Sequence, residues 1–273
     1  MTDTWMVRNL RAVRGRAYPR VIGLMREPSW MIYGTVLPLF SITAYVYVYK
    51  FIGAKPEFVG YVVLGGAMTA FWLNVLWSMA AQLYWEKETG NLQLYMIAPI
   101  SRMSLLAGMA VGGLFETTTR AASTLALGVF AFGIVLTLTD PLMLVLVFLA
   151  TMVALYGMGM MFASLYLLFG REAYHMSNLL MEPVYFVSGF YFPVRYLGFW
   201  TALGASIIPI TLGLDAMRQL FFEGAPGDAF LPVQTELAVL AALSVVFIVL
   251  AKFSLDYMEK LGKSTGRLTL RWQ

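Results

Sequence analysis

Cysteine is absent from the 273 residues, and histidine occurs once, at His175. The first absence excludes disulfides and thiolate metal sites; a single imidazole cannot build a histidine cage, so no metal site is expected. Charge is scarce as well, at 12% against 60% hydrophobic residues, and the mean hydropathy is +0.73. A soluble core of this length could not bury so much apolar surface, so the chain must meet lipid. Neither a Gly-x-Ser-x-Gly elbow nor a His-Glu-x-x-His pair occurs, which leaves no hydrolytic or metal-assisted constellation and no catalytic residue to name. Gly262-Lys263-Ser264-Thr265 has the ending of a phosphate-binding loop, but the position for its earlier glycine holds Tyr257. It also trails an apolar run where a true loop follows a strand, so it reads as a chance match.

What is abundant is long apolar sequence. Residues 30–49 and 58–85 carry no charge, and Trp30, Tyr33, Tyr45, Tyr47 and Tyr49 cluster near the ends of the first run, where amphipathic rings favour the headgroup level. Residues 103–138 form a third span despite Glu116 and Arg120, because the apolar runs on either side are each too short to cross. Asp140-Pro141 breaks the chain, residues 142–169 give a fourth span, residues 177–191 a fifth and residues 237–257 a sixth. Between the last two, residues 197–214 are apolar but broken by Gly198, Gly204, Pro209 and Gly213, as in a re-entrant or interfacial segment. Asp215, Arg218, Glu223 and Asp228 then read as an aqueous excursion.

The net charge of +4 is concentrated at the two ends. Beside a hydrophobic domain it reads as a topology signal and not as a nucleic-acid surface. Six spans with both termini inside place Arg8, Arg11, Arg14, Arg16, Arg20, Arg26, Lys87, Arg102, Arg171, Lys252, Lys260, Lys263, Arg267 and Arg271 on the cytoplasmic side. Arginines from Arg8 to Arg20 also interrupt any apolar core of a cleavable leader. Segment 5–27, with Trp5, Leu10, Val13 and Ile22 among its arginines, suits a helix on the anionic cytoplasmic leaflet. The expected fold is all-α and integral to the membrane, a single domain over residues 1–273.

Within the spans, Glu116 and Arg120 are four apart and so share a helix face with Thr119 and Ser123. They are either a packing ion pair or a polar patch on a translocation route or gate, and the sequence leaves both open. Glu182 beside Pro183 poses the same question. Asn74, Tyr185 and Phe186 offer polar and aromatic contacts to an amphipathic cargo, or ordinary packing. Gly108 and Gly112 form a small-xxx-small pair suited to close helix approach.

The stretch from Trp85 through Glu86, Lys87, Glu88, Thr89 and Gly90 to Pro99 resembles the acidic, glycine, coupling-helix and proline segment of ABC-2 type exporter permeases. Residues 182–193, from Glu182-Pro183 through Ser188-Gly189 to Pro193, are similar to the same family around its fifth helix. Residues 208–218 are similar to the region before the last span, with Ile208 where an asparagine often precedes the proline. The resemblance implies a permease paired with a second copy or a related subunit, above two cytoplasmic ATP-binding subunits that hold ATP and Mg; this chain itself would carry no cofactor. Residues 86–99 would be the coupling segment, with Glu86, Lys87, Glu88, Thr89, Gly90, Leu92, Leu94 and Pro99 meeting the motor and the 5–27 helix as a second contact. Residues 193–218 would close the external side. The expected function is export of an amphipathic drug, lipid or lipid-linked glycan across the inner (plasma) membrane of a prokaryote. The alternative is an ion-coupled secondary transporter with Glu116, Arg120 and Glu182 as its relay.

Overall fold

The computed structural model describes residues 4–266, with the side chains of Pro28, Trp30, Leu168, Arg171, Ala173, Tyr174 and Met176 outside the description. Arg267 and Arg271 of the basic tail also lie outside the described residues. Every regular element among those described is helical. Ten α-helices follow in order: α1 Trp5–Arg26, α2 Pro28–Phe51, α3 Glu57–Leu73, α4 Gln82–Glu88, α5 Asn91–Ile97, α6 Arg102–Phe132, α7 Pro141–Val187, α8 Phe199–Ala205, α9 Pro209–Phe221 and α10 Val233–Ser264.

A π-helical stretch, Asn74–Ala80, joins α3 to α4, so Glu57–Glu88 runs as one long rod. Its most apolar window is 94% buried, against 22% for Met31–Phe51 in α2 and 17% for α10. The rod is therefore the axis around which the other helices pack, while α2 and α10 leave most of their apolar surface to lipid. Close approach to this axis depends on small residues. A Cβ on Gly65 would fall 1.5 Å from the Phe190 carbonyl oxygen, and one on Gly66 would fall 2.3 Å from Ile42.

Among the described residues four helices are long and apolar enough to cross a membrane, or five if the bent pair α8–α9, turned through 111°, is one broken span. The six-span expectation includes α6, whose 31 residues suffice in length but whose Glu116 and Arg120 lower its apolarity. It also includes the second half of α7, which Gly170 (φ 35°, ψ −100°) separates from the first. Gly133, at φ 66°, ends α6. The third apolar run, expected to continue to Leu138, therefore finishes as an extended segment whose Thr137 and Thr139 amides donate to Phe221 and Leu220 carbonyls at the end of α9. At the start of α7, Asp140 accepts from the Met143 amide at 3.0 Å, with Pro141 in the first helical position.

The aqueous excursion expected at residues 215–228 is found only around Glu223, which is exposed. Asp215, Arg218 and Asp228 are buried, and so is every residue of Pro209–Leu220. Arg218 Nη2 donates to the Gly189 and Phe190 carbonyls at 2.7 and 2.9 Å, and Nη1 donates to Phe192 at 3.1 Å. These carbonyls belong to the turn that follows α7, which the buried guanidinium ties to α9; a charge count along the chain cannot reveal that.

Candidate functional site

Two pairings assemble one end of the molecule. Asn9 Oδ1 accepts from the Ser101 amide at 2.7 Å and the Ser104 hydroxyl at 3.0 Å, tying α1 to the start of α6. Arg102 donates to Glu259 at 3.2 Å, tying that same start to the last turns of α10. Both terminal helices and the α4–α5 elbow thus share one face, termed basal below. The ends of α2 and α6 and the starts of α3 and α7 form the opposite, distal face.

At the basal face α1 runs beside α6 in the same direction. Asn9 meets Ser101, Arg16 lies against Gly108 and Arg20 against Gly112. The contact advances seven and then four residues on both helices, which is a parallel alignment. A Cβ on Gly108 would fall 2.7 Å from the Val13 carbonyl oxygen, so the small-xxx-small pair is the surface on which α1 rests.

From this platform α1 reaches two sites. Arg16 pairs with Glu86 at the end of α4, and its other terminal nitrogen donates to the Tyr95 hydroxyl on α5 at 3.1 Å. Gln82 donates to the same Glu86 carboxylate at 2.9 Å. Gly90, at φ 81°, supplies the left-handed turn between α4 and α5. Of the residues expected to meet a motor, Glu86, Lys87 and Leu92 are buried within the chain, and Glu88 and Gly90 are half-buried. Thr89, Leu94 and Pro99 are exposed; Leu94 is 61% and its neighbour Ile97 81% accessible. The elbow is therefore an acidic root held by α1, carrying an apolar tip.

One α-helical turn further along α1, Arg20 Nη1 donates to the Met109 carbonyl at 3.1 Å, and Nη2 to the Ser78 carbonyl at 3.4 Å. Ser78 lies in the π-helical stretch, where a widened turn frees backbone oxygens for other donors. Burial pushes the Arg20 guanidinium below its ordinary pKa, and Glu116 acts against that shift. Glu116 lies 3.7 Å from Arg120, whose Nη2 donates to the Gly34 carbonyl of α2 at 3.3 Å. Arg20, Glu116 and Arg120 thus form a chain of alternating charge linking α1, α6 and α2. Asn74 sits beside it, accepting from Tyr156 at 3.1 Å and lying where a Cβ on Gly113 would meet its Oδ1 at 2.5 Å.

Glu182, Tyr185 and Phe186 are elsewhere. Glu182 and Phe186 are exposed, and Tyr185 is half-buried with its ring edge-on to Phe190 at 5.1 Å. Nearby Tyr191 stacks on Tyr45 of α2 at 4.1 Å. Tyr45 is eleven residues beyond Gly34, where Arg120 binds, a separation of about 16 Å along a helix. The six expected path residues therefore fall into two groups, Asn74, Glu116 and Arg120 beside α1, and Glu182, Tyr185 and Phe186 in the last turns of α7. Sequence reasoning missed Arg16 and Arg20 as functional side chains, having taken them for topology signals.

Residues 20–222 match a family model described as ABC-2 type transporter. The chain belongs to the ABC-2 type transporter family. Over 147 residues it is 28% identical to the Probable multidrug ABC transporter permease YbhR of Escherichia coli (strain K12), a stretch covering 52% of this chain and 38% of that protein. It matches the protein of the same name from Escherichia coli O157:H7 to the same extent. The matched stretch thus covers less than half the length of these relatives. As an ABC-2 permease the chain is a multi-pass membrane protein and the membrane component of an ABC transporter. The family match includes Arg20, the π-helical stretch, the elbow and the Glu116–Arg120 pair.

Proposed function

We propose that this chain is the permease subunit of an ATP-driven exporter, moving an amphipathic drug, lipid or lipid-linked glycan outward on ATP hydrolysed by two separate cytoplasmic subunits. The basal face is then cytoplasmic, and six crossings return both termini to it: α2, the α3–α4 rod, α6, the two halves of α7, and α10. The bent pair α8–α9 is a re-entrant hairpin closing the distal, external side. This reading places the chain in the inner membrane of a prokaryote.

One observation carries the reading: the elbow is braced at its root and bare at its tip. Glu86 is fixed by Arg16 and Gln82, while Leu94 and Ile97 present largely exposed apolar side chains. A braced lever passes on a rigid-body displacement that a loose loop would absorb. The rod continues without interruption from the elbow to Glu57 at the distal face, so a push at the tip can reach the far side. The Escherichia coli relative is named a probable multidrug permease, which supports drug-like cargo.

The exposed flank of α2, with Phe186 and Glu182 on α7, is the surface for a second permease copy, identical or related. Glu182, Tyr185 and Phe186 then line the path between copies, and Asn74, Glu116 and Arg120 support it from within. An ion relay would need Glu182 within reach of Glu116, whereas the ion pair that Glu116 makes among the described residues is with Arg120. The test is purification of the chain from its native membrane in mild detergent, with identification of co-purifying proteins and their ATPase activity. Recovery of a stoichiometric ATP-binding subunit supports the reading. Transport retained by the chain alone, with no such subunit, overturns it in favour of ion coupling.

A further inference from the structure

A cavity of about 600 Å³ lies at the distal face, away from the elbow and from the Asn74, Glu116 and Arg120 group. Its walls come from the end of α2, the start of α3, the end of α6 and the turn after α9, and include Tyr49, Lys50, Glu57, Phe132, Phe222 and Glu223. One wall is fixed: Gly133 turns the chain out of α6, and Thr137 donates through its amide and hydroxyl to the Phe221 carbonyl at 2.9 and 3.2 Å. Gly224 admits the Glu57 side chain, since a Cβ there would lie 3.0 Å from Glu57 Oε1.

We propose that this cavity seats the headgroup of a zwitterionic aminophospholipid from the distal leaflet. The charges select for it. Lys50 offers an ammonium, held 5.9 Å from the Phe132 ring centroid, and Glu57 and Glu223 offer two carboxylates. The neighbouring cation, Lys55, is engaged by Asp228 at 3.3 Å, and the Tyr49 hydroxyl donates to the Tyr191 carbonyl at 3.1 Å. An anionic headgroup would face two carboxylates and a simple organic cation would face Lys50; a phosphate next to a primary ammonium satisfies both signs. A primary ammonium also has three N–H donors for the carboxylates, which a quaternary choline lacks. Phe132 and Phe222 supply an apolar wall for the glycerol and the first acyl carbons. The site lies where α2 and α6 end, the level at which headgroups meet a membrane protein. Only membrane insertion is required, so the proposal stands apart from the exporter reading.

The test is native mass spectrometry of the purified chain equilibrated with equal parts of phosphatidylethanolamine, phosphatidylcholine and phosphatidylglycerol. Preferential retention of phosphatidylethanolamine is expected. Glu57→Gln with Glu223→Gln should reduce the preference about tenfold, as loss of charge-assisted hydrogen bonds implies, and Lys50→Gln should weaken retention of the same lipid. Glu223 is exposed, so Glu223→Gln alone keeps the test valid if the double variant fails to fold; a fall in preference is expected there too. Equal retention of the three lipids, or a preference unchanged in the variants, overturns the proposal. Displacement by soluble phosphoethanolamine as effective as by the intact lipid would assign the cavity to a water-soluble zwitterion and overturn the lipid assignment.

Discussion

Arg16 on α1 pairs with Glu86 on α4 while donating to the Tyr95 hydroxyl on α5, so one guanidinium spans both arms of the elbow. Glu86 is 5% exposed, and this buried carboxylate depends on its cation. Glu86→Ala is expected to destabilise the fold by about 2–3 kcal/mol, within the range for breaking a partly buried charged contact. Membrane insertion should persist, because no apolar span is altered. Thermal unfolding in detergent gives the first quantity, and carbonate-resistant membrane association the second.

Replacing Gly90 separates turn geometry from charge. Its φ of 81° is a conformation that side-chain-bearing residues avoid. Gly90→Pro is incompatible with it and should uncouple ATP hydrolysis from transport in the assembled complex while leaving the Arg16–Glu86 pair intact. Unchanged cargo-stimulated ATPase in this variant would contradict a lever role for the elbow.

For the Arg20–Glu116–Arg120 chain, the central acid matters most. Glu116→Ala leaves two half-buried cations without their shared counter-charge, whereas Arg120→Ala leaves Glu116 still beside Arg20. The acid variant should therefore lose about 1–3 kcal/mol and the arginine variant clearly less. Unfolding midpoints of the two variants and of the double variant form the cycle that checks this ordering.

Glycine replacements give a packing test with an internal control. Gly65→Ala puts a methyl 1.5 Å from the Phe190 carbonyl oxygen and should abolish the native packing of α3 against the end of α7. Gly15→Ala, in a helix with open space around it, should be neutral or stabilise by up to about 1 kcal/mol. Expression and melting temperature of the two variants read the contrast.

Much of this architecture is visible in residue order because bilayer physics is one-dimensional. Runs without charge locate the apolar parts of α2, the rod, α7 and α10, and Gly108 with Gly112 signals a close helix contact. A linear reading cannot see which charges face inward. Arg218 looks like a solvated residue until the end of α7 is placed against it, and Arg20 looks like a topology signal until the π-helical stretch turns a carbonyl toward it. The distal cavity draws walls from three stretches that lie far apart in the sequence, residues 49–59, 132–137 and 222–224, so no local pattern announces it. Glu116 and Arg120 were legible as a pair because their spacing matches one helical turn.

The most direct test of the permease assignment is site-specific photocrosslinking in native membranes, with a photoreactive residue placed at Leu94 or Ile97 on the elbow tip and, as control, at the 80% exposed Trp200 near the distal face. The expected result is an adduct with an ATP-binding protein from the two elbow positions and none from Trp200. No adduct from the elbow, or equal adducts from Trp200, would contradict the account.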